Sequence, residues 1–171
     1  MTKRHLNFSP DDIPLAYLIT FRCYGTWLHG DARGSVDRHH NRYGTPYISP
    51  NERWLQYNAG RLKHAPVKLD PAQRMAVNTA ILETCKFRGW VLRAVNARTN
   101  HVHAVTSAAC LPEPVLNAFK GEATKQMRAS ALWTHQHSPW LRGGSKRYLW
   151  TEDSVDRAVE YVMNGQDSNE E

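Results

Sequence analysis

Two histidines two positions apart, His101 and His103, and a later tyrosine, Tyr161, are the side chains of this sequence best suited to chemistry on a phosphate group. In Asn100-His101-Val102-His103-Ala104-Val105-Thr106 the histidines alternate with apolar residues, which is the period of a strand. Both imidazoles should therefore leave one face, about 7 Å apart along the chain, while Val102 and Ala104 turn towards a helix-covered core. Neutral imidazole is a common ligand for divalent cations, and two on a rigid strand make half a site that needs further oxygen or nitrogen donors. The spacing alone is not specific, because an ordinary half-exposed sheet face produces it as well. Two other histidine clusters compete. His135-Gln136-His137 lies between Trp133 and Pro139 without strand character and reads as a solvated loop, and His39-His40 sits in a basic stretch that suits phosphate contact, or no role, better than metal.

The tyrosine is placed by helical geometry. Winding Val155 to Met163 at 3.6 residues per turn gathers Val155, Ala158, Val159, Val162 and Met163 into one apolar stripe, with Tyr161 roughly 130° from its centre. Tyr161 shares its polar face with Ser154, Arg157 and Asn164. A phenol there is either an ordinary exposed tyrosine or a nucleophile that could meet a metal-bound phosphate.

The elements that must position these residues follow from periodicity and punctuation. Ala16 to Phe21 is short, apolar and partly β-branched, and is predicted as a buried strand. Asp70 is an N-cap followed by Pro71, opening an amphipathic helix marked by Met75, Ile81, Leu82 and Phe87 that runs to Gly89. Trp90 to Val95 and His101 to Ser107 are strands joined by the turn-like Asn96 to Asn100, and should pair as a hairpin. A helix from about Pro114 to Ser130 carries Val115, Leu116, Phe119, Ala123 and Met127 on one side. Arg147 to Trp150 is a short strand, and a last helix (151–165) begins near Thr151 and ends before Gly165. Strand, helix, strand, strand, helix, strand is the order of a ferredoxin-like α+β sandwich, an antiparallel sheet with helices on one face, here with an added C-terminal helix.

Between Leu28 and Leu69 the periodicity lapses. Gly30, Gly34, Gly44, Gly60, Pro46, Pro50 and Pro66 mark residues 29–68 as a long insertion after the first strand. It mixes Arg33, Arg38, Arg42, Arg53, Arg61, Lys63 and Lys68 with Tyr43, Tyr47, Trp54 and Tyr57, a composition that suits either a nucleic-acid contact or a solvated excursion. Arg142-Gly143-Gly144-Ser145-Lys146-Arg147 reads as a flexible basic loop and a second contact with a polyanion. Lys120 and Lys125 on the second long helix do not share one line of its surface, so either contacts phosphate alone or both are solvated.

At 171 residues the chain fits one domain, 1–171. A net charge of +6 and a pI near 9.4 point to a polyanionic partner, since Lys and Arg gain free energy by releasing counterions from phosphates. Three scattered cysteines, Cys23, Cys85 and Cys110, build neither a disulfide framework nor a paired zinc site, and a cytoplasmic location is expected. Neither a signal peptide nor a membrane span is expected.

Taken together, Asn-His-Val-His on a strand, the helix with Phe119-Lys120-Gly121-Glu122-Ala123-Thr124, and the late Tyr161-Val162-Met163-Asn164-Gly165-Gln166 resemble the single-tyrosine HUH transposases, within them the insertion-sequence-200 and REP-associated tyrosine transposases. The resemblance covers about 16–166, except the insertion. It implies single-stranded DNA, in hairpin-containing form, as partner, and Mg²⁺ or Mn²⁺ held by His101, His103 and a third side chain. It also implies attack by Tyr161 to give a 5′-phosphotyrosine link and a free 3′-hydroxyl. In the family a glutamine stands one turn after the tyrosine, whereas here that place is Gly165. If Gly165 ends the helix in a left-handed conformation, the chain reverses and Gln166, in preference to Asn164, supplies the third ligand. The resemblance leaves open a homodimer in which two chains exchange their C-terminal helices.

Three other readings fit the same residues. The displaced glutamine fits a DNA-binding protein of the same fold that has lost catalysis. A ferredoxin-like RNA-binding module predicts paired aromatics on exposed strand faces, where His101 and His103 stand instead. A rolling-circle initiator shares the histidine motif, but such proteins usually carry further domains.

Overall fold

The computed structural model describes residues 13–32, 46 and 48–165. Strands β1 (Ala16–Arg22), β2 (Val91–Ala97), β3 (His101–Ser107) and β4 (Ser145–Leu149) form one sheet in the order β2-β3-β1-β4. Every neighbouring pair is antiparallel. Helices α1 (Glu52–Gly60), α2 (Pro71–Arg88), α3 (Pro112–Ala129) and α4 (Glu152–Asn164) complete the described chain. With α1 set aside, this is the expected α+β ferredoxin-like arrangement followed by a C-terminal helix.

Alternation along the central strands divides the molecule into two unequal layers. Tyr17, Ile19 and Phe21 of β1 and Val102 and Ala104 of β3 are fully buried against α2 and α3, in a core with Phe119, Met127 and Trp140. The opposite parity, Ala16 and Val105 with Ala94 and Leu149, packs under Val155, Ala158 and Val162 of α4. Both faces of the sheet are thus covered, which removes the open aromatic platform that a sheet-based RNA reader needs. Phe119 lies fully buried with its ring 6.1 Å from that of Trp90. Truncating it in Phe119→Ala should cost about 3–5 kcal/mol, read as a lower urea midpoint at unchanged slope.

Several boundaries and faces differ from expectation. In α2 the buried residues are Val77, Ala80, Ile81, Thr84 and Cys85, whereas Met75, Leu82 and Phe87 are exposed. The 3.6 period is kept, and Ile81 is buried as expected, but the rest of the buried stripe is carried by Val77, Ala80, Thr84 and Cys85. Asp70 caps this helix as predicted, with its carboxylate accepting from Gln73 N at 2.8 Å. Strand β2 runs on through Asn96 to Ala97, so the hairpin turn is shorter than Asn96 to Asn100.

The insertion contains α1, capped by Asn51, whose side chain accepts from Trp54 N at 3.1 Å. No residue of α1 is buried, so it left no apolar period to read. Gly30, at φ 95°, lies so close to its first turn that a Cβ would strike the backbone of Asn51 and Leu55. At the far end, Val67 and Leu69 are core residues, and Val67 N donates to Tyr24 O and Leu69 N to Thr99 O. The excursion therefore closes before residue 68.

The basic loop is also corrected. Ser145, Lys146 and Arg147 belong to β4, so the flexible part is shorter than predicted. Gly144 is wedged where a Cβ would come 2.7 Å from Thr20 O.

Candidate phosphoryl-transfer site

His101 and His103 extend from the α4 side of β3, because Val102 and Ala104 fill the other side. Their ring centroids are 4.6 Å apart, and the Tyr161 ring centroid is 5.4 Å from that of His103, inclined at 72°. Tyr161 is 46% exposed and His103 only 7%. The three side chains thus form one cluster, with the phenol on its solvent side.

Neighbouring strands fix both rings. Thr20 stands opposite His103 in the β1–β3 register, with its hydroxyl 2.7 Å from His103 Nδ1. Asn100 Oδ1 contacts His101 Nδ1. With each ring engaged through Nδ1, Nε2 would be the nitrogen to meet a cation, the arrangement that metal-bound histidines use. Burial, with the charges of His101 and Arg98 adding to it, pushes the His103 pKa down from 6.5 to about 3. His103 is therefore neutral, the form that binds metal. Because the unfolded chain takes up this proton near pH 6.5 and the folded chain only near 3, stability should fall as pH drops through that interval and stay level above it. In EDTA, urea midpoints against pH should show this slope, and His103→Gln should flatten it.

No group of three or more His, Cys, Asp or Glu side chains comes together as a metal site among the described residues. A cation here would rest on two imidazoles, with its other positions open to an amide oxygen, water or phosphate. That donor set fits a divalent ion engaged with a phosphodiester. Gly165 is not left-handed, at φ −83° and ψ 4°, so the chain reversal expected to return Gln166 does not occur at that residue. Gln166 itself lies outside the described residues. Asn164 is exposed, and its Nδ2 donates to Glu160 Oε1 at 3.0 Å.

The predicted basic contacts disperse. Lys146 and Arg147 face opposite sides of the sheet. Lys146 turns towards α3, where its Nζ lies 3.0 Å from Glu113 Oε1, while Arg147 pairs with Leu18 on the α4 side, the side of the histidines. Lys120 is a brace, donating to Leu141 O at 2.6 Å and Gly143 O at 2.9 Å, with burial lowering its pKa. Arg142 is exposed at the start of that loop. Arg33, Arg38 and Arg42, like His39 and His40, lie outside the described residues. His135 and His137 join an aromatic group in which the His64 and His137 rings stack at 3.7 Å.

Sequence reasoning missed Thr20 and also Arg22, which stands opposite His101 in register with its guanidinium 4.4 Å from the centre of the Trp27 ring. A threonine and an arginine at alternate positions of an apolar strand were the available signal.

No protein-family model matches the sequence, nor does any curated protein. Among solved structures, a REP-associated tyrosine transposase bound to a REP hairpin is similar at TM-score 0.47 and 10% identity, over 95% of this chain and 70% of that one. A candidate transposase of Deinococcus radiodurans R1 is similar at TM-score 0.46 and 13% identity, over 96% and 97%. Strand order and register, rather than these distant likenesses, define the fold. No helix among the described residues is long and apolar enough to cross a membrane.

Proposed function

We propose that this chain is a single-strand DNA endonuclease and strand transferase of the tyrosine transposase type, working with a divalent cation. The observation that carries the reading is the cluster itself: a half-exposed phenol whose ring lies 5.4 Å from a buried neutral imidazole, which lies 4.6 Å from a second imidazole on the same strand. His101 and His103 would hold Mn²⁺ or Mg²⁺, with Asn164 or Gln166 as third ligand, and the ion would polarise the scissile phosphate as a Lewis acid. Tyr161 supplies the nucleophile. Its Oη forms a bond to phosphorus as the bond from phosphorus to the 3′-oxygen breaks; the phenolic proton passes to solvent and the departing 3′-oxygen takes one up. The 5′-phosphotyrosine conserves the energy of the phosphodiester, so a second 3′-hydroxyl can displace Tyr161 and rejoin strands without ATP. Arg142 and Arg147, together with Arg33, Arg38 and Arg42, are proposed backbone contacts, supported by the net charge of +6.

A glycine one turn after the tyrosine, where it brings no ligating side chain, favours a second reading: a DNA-binding protein of this fold that no longer cuts. Labelled hairpin-bearing single-stranded DNA, incubated with Mn²⁺ or with EDTA, decides between them. A covalent protein–DNA adduct that EDTA abolishes supports the enzyme, and shifted but uncut DNA in Mn²⁺ supports the binder.

A further inference from the structure

We infer that Asn96 is a positioning residue for Tyr161, fastening the last turn of α4 to the sheet so that the tyrosine stands over the histidines of its own chain. The inference rests on the proposed role of Tyr161 as nucleophile. Helix ends fray, because the last four carbonyls lack partners within the helix. The C-terminal end of α4 is weakly held by other means. Its buried contacts stop at Val162, Met163 is 56% exposed, and the last turn carries no basic side chain to oppose the helix dipole. Gly165 N donates to the Tyr161 carbonyl at 3.0 Å.

The next carbonyl, that of Val162, is satisfied from outside the helix. Asn96 Nδ2 donates to it at 3.0 Å in a partly buried setting. Asn96 stands opposite His103 in the β2–β3 register, and Thr20 stands opposite His103 in the β1–β3 register. Thr20, His103 and Asn96 thus form one row across the α4 face of the sheet. Thr20 orients the imidazole, and Asn96 ties the turn carrying the phenol to the same row. A displacement of about 1 Å at a nucleophile costs on the order of 100-fold in rate, so a single bond at this place has leverage that its strength alone would not give.

Asn96→Asp keeps the shape and removes the donor; Asn96→Ala serves as the second variant. Amide hydrogen exchange at 160–164 should accelerate roughly 10-fold in both, the expectation for losing one partly buried hydrogen bond. Single-turnover adduct formation at saturating DNA should slow roughly 10- to 100-fold. In Asn96→Ala, which adds no charge beside the histidines, the dissociation constant for DNA should stay within about twofold, since an uncharged side chain releases no counterions. Unchanged exchange, or faster exchange with an unchanged adduct rate, overturns the inference. If the unsubstituted protein forms no adduct, the nucleophile reading fails and positioning for attack fails with it, while exchange still decides whether Asn96 fastens the helix. Mixing Tyr161→Phe chains with His103→Ala chains tests the own-chain claim: no adduct should form, and a restored adduct would show that the tyrosine serves a partner.

Discussion

Tyr161→Phe should abolish cleavage and adduct formation while leaving folding and DNA affinity as they were. The substitution deletes one oxygen from a side chain that is 46% exposed and keeps the ring that stands edge-on to His103, so the local packing has little reason to change. Burial of α4 rests on Val155, Ala158 and Val162, which the substitution does not touch. Loss of a covalent nucleophile costs on the order of 10⁶-fold in rate in well-studied hydrolases, far beyond any effect of a surface tyrosine on stability. Single-turnover cleavage of labelled DNA, paired with an electrophoretic shift under the same Mn²⁺ concentration, checks both halves. Residual cutting at more than about a hundredth of the original rate would assign the chemistry to another group.

The second large effect is expected in His101→Ala and His103→Ala, separately and together. Loss of an outer-sphere partner commonly lowers metal affinity about 10- to 100-fold, and loss of a ligand should do at least as much. Titration calorimetry with Mn²⁺ should show each single variant weakened to that degree and the double variant without a measurable site. The two differ in a second respect. His103 is buried between Thr20 and Asn96, so its truncation should also lower stability, whereas His101 lies closer to the strand end and should be better tolerated. Equal Mn²⁺ affinity in all four proteins would remove the histidine pair from the account.

The parts of this site that were legible in the sequence are those set by short-range geometry. Alternation fixed the shared face of His101 and His103, and helical winding put Tyr161 off the apolar stripe, so two local periods met at one place once α4 lay on the sheet. The arrangement across strands was not legible. Asn96 reads as a turn residue because its side chain competes with backbone hydrogen bonding. In β2 it pairs opposite His103, and its side chain bonds the carbonyl of Val162, remote in sequence. Thr20 had no local mark, since its partner is His103 on another strand. The buried face of α2 was misjudged for a different reason: the largest apolar residues, Met75, Leu82 and Phe87, were weighed above the small ones at the correct spacing. Basic residues close together in sequence, Lys146 and Arg147, were separated by the pleat of β4, which turns them to opposite faces.

The central claim is that Tyr161 becomes covalently joined to DNA in a cation-dependent step. Peptide mass spectrometry of the protein after incubation with hairpin-bearing single-stranded DNA and Mn²⁺, followed by nuclease trimming, tests it most directly. A nucleotide phosphate attached to the peptide containing Tyr161, absent in EDTA, is the expected result. DNA bound but unattached in Mn²⁺, or a nucleotide on any other residue, would contradict it.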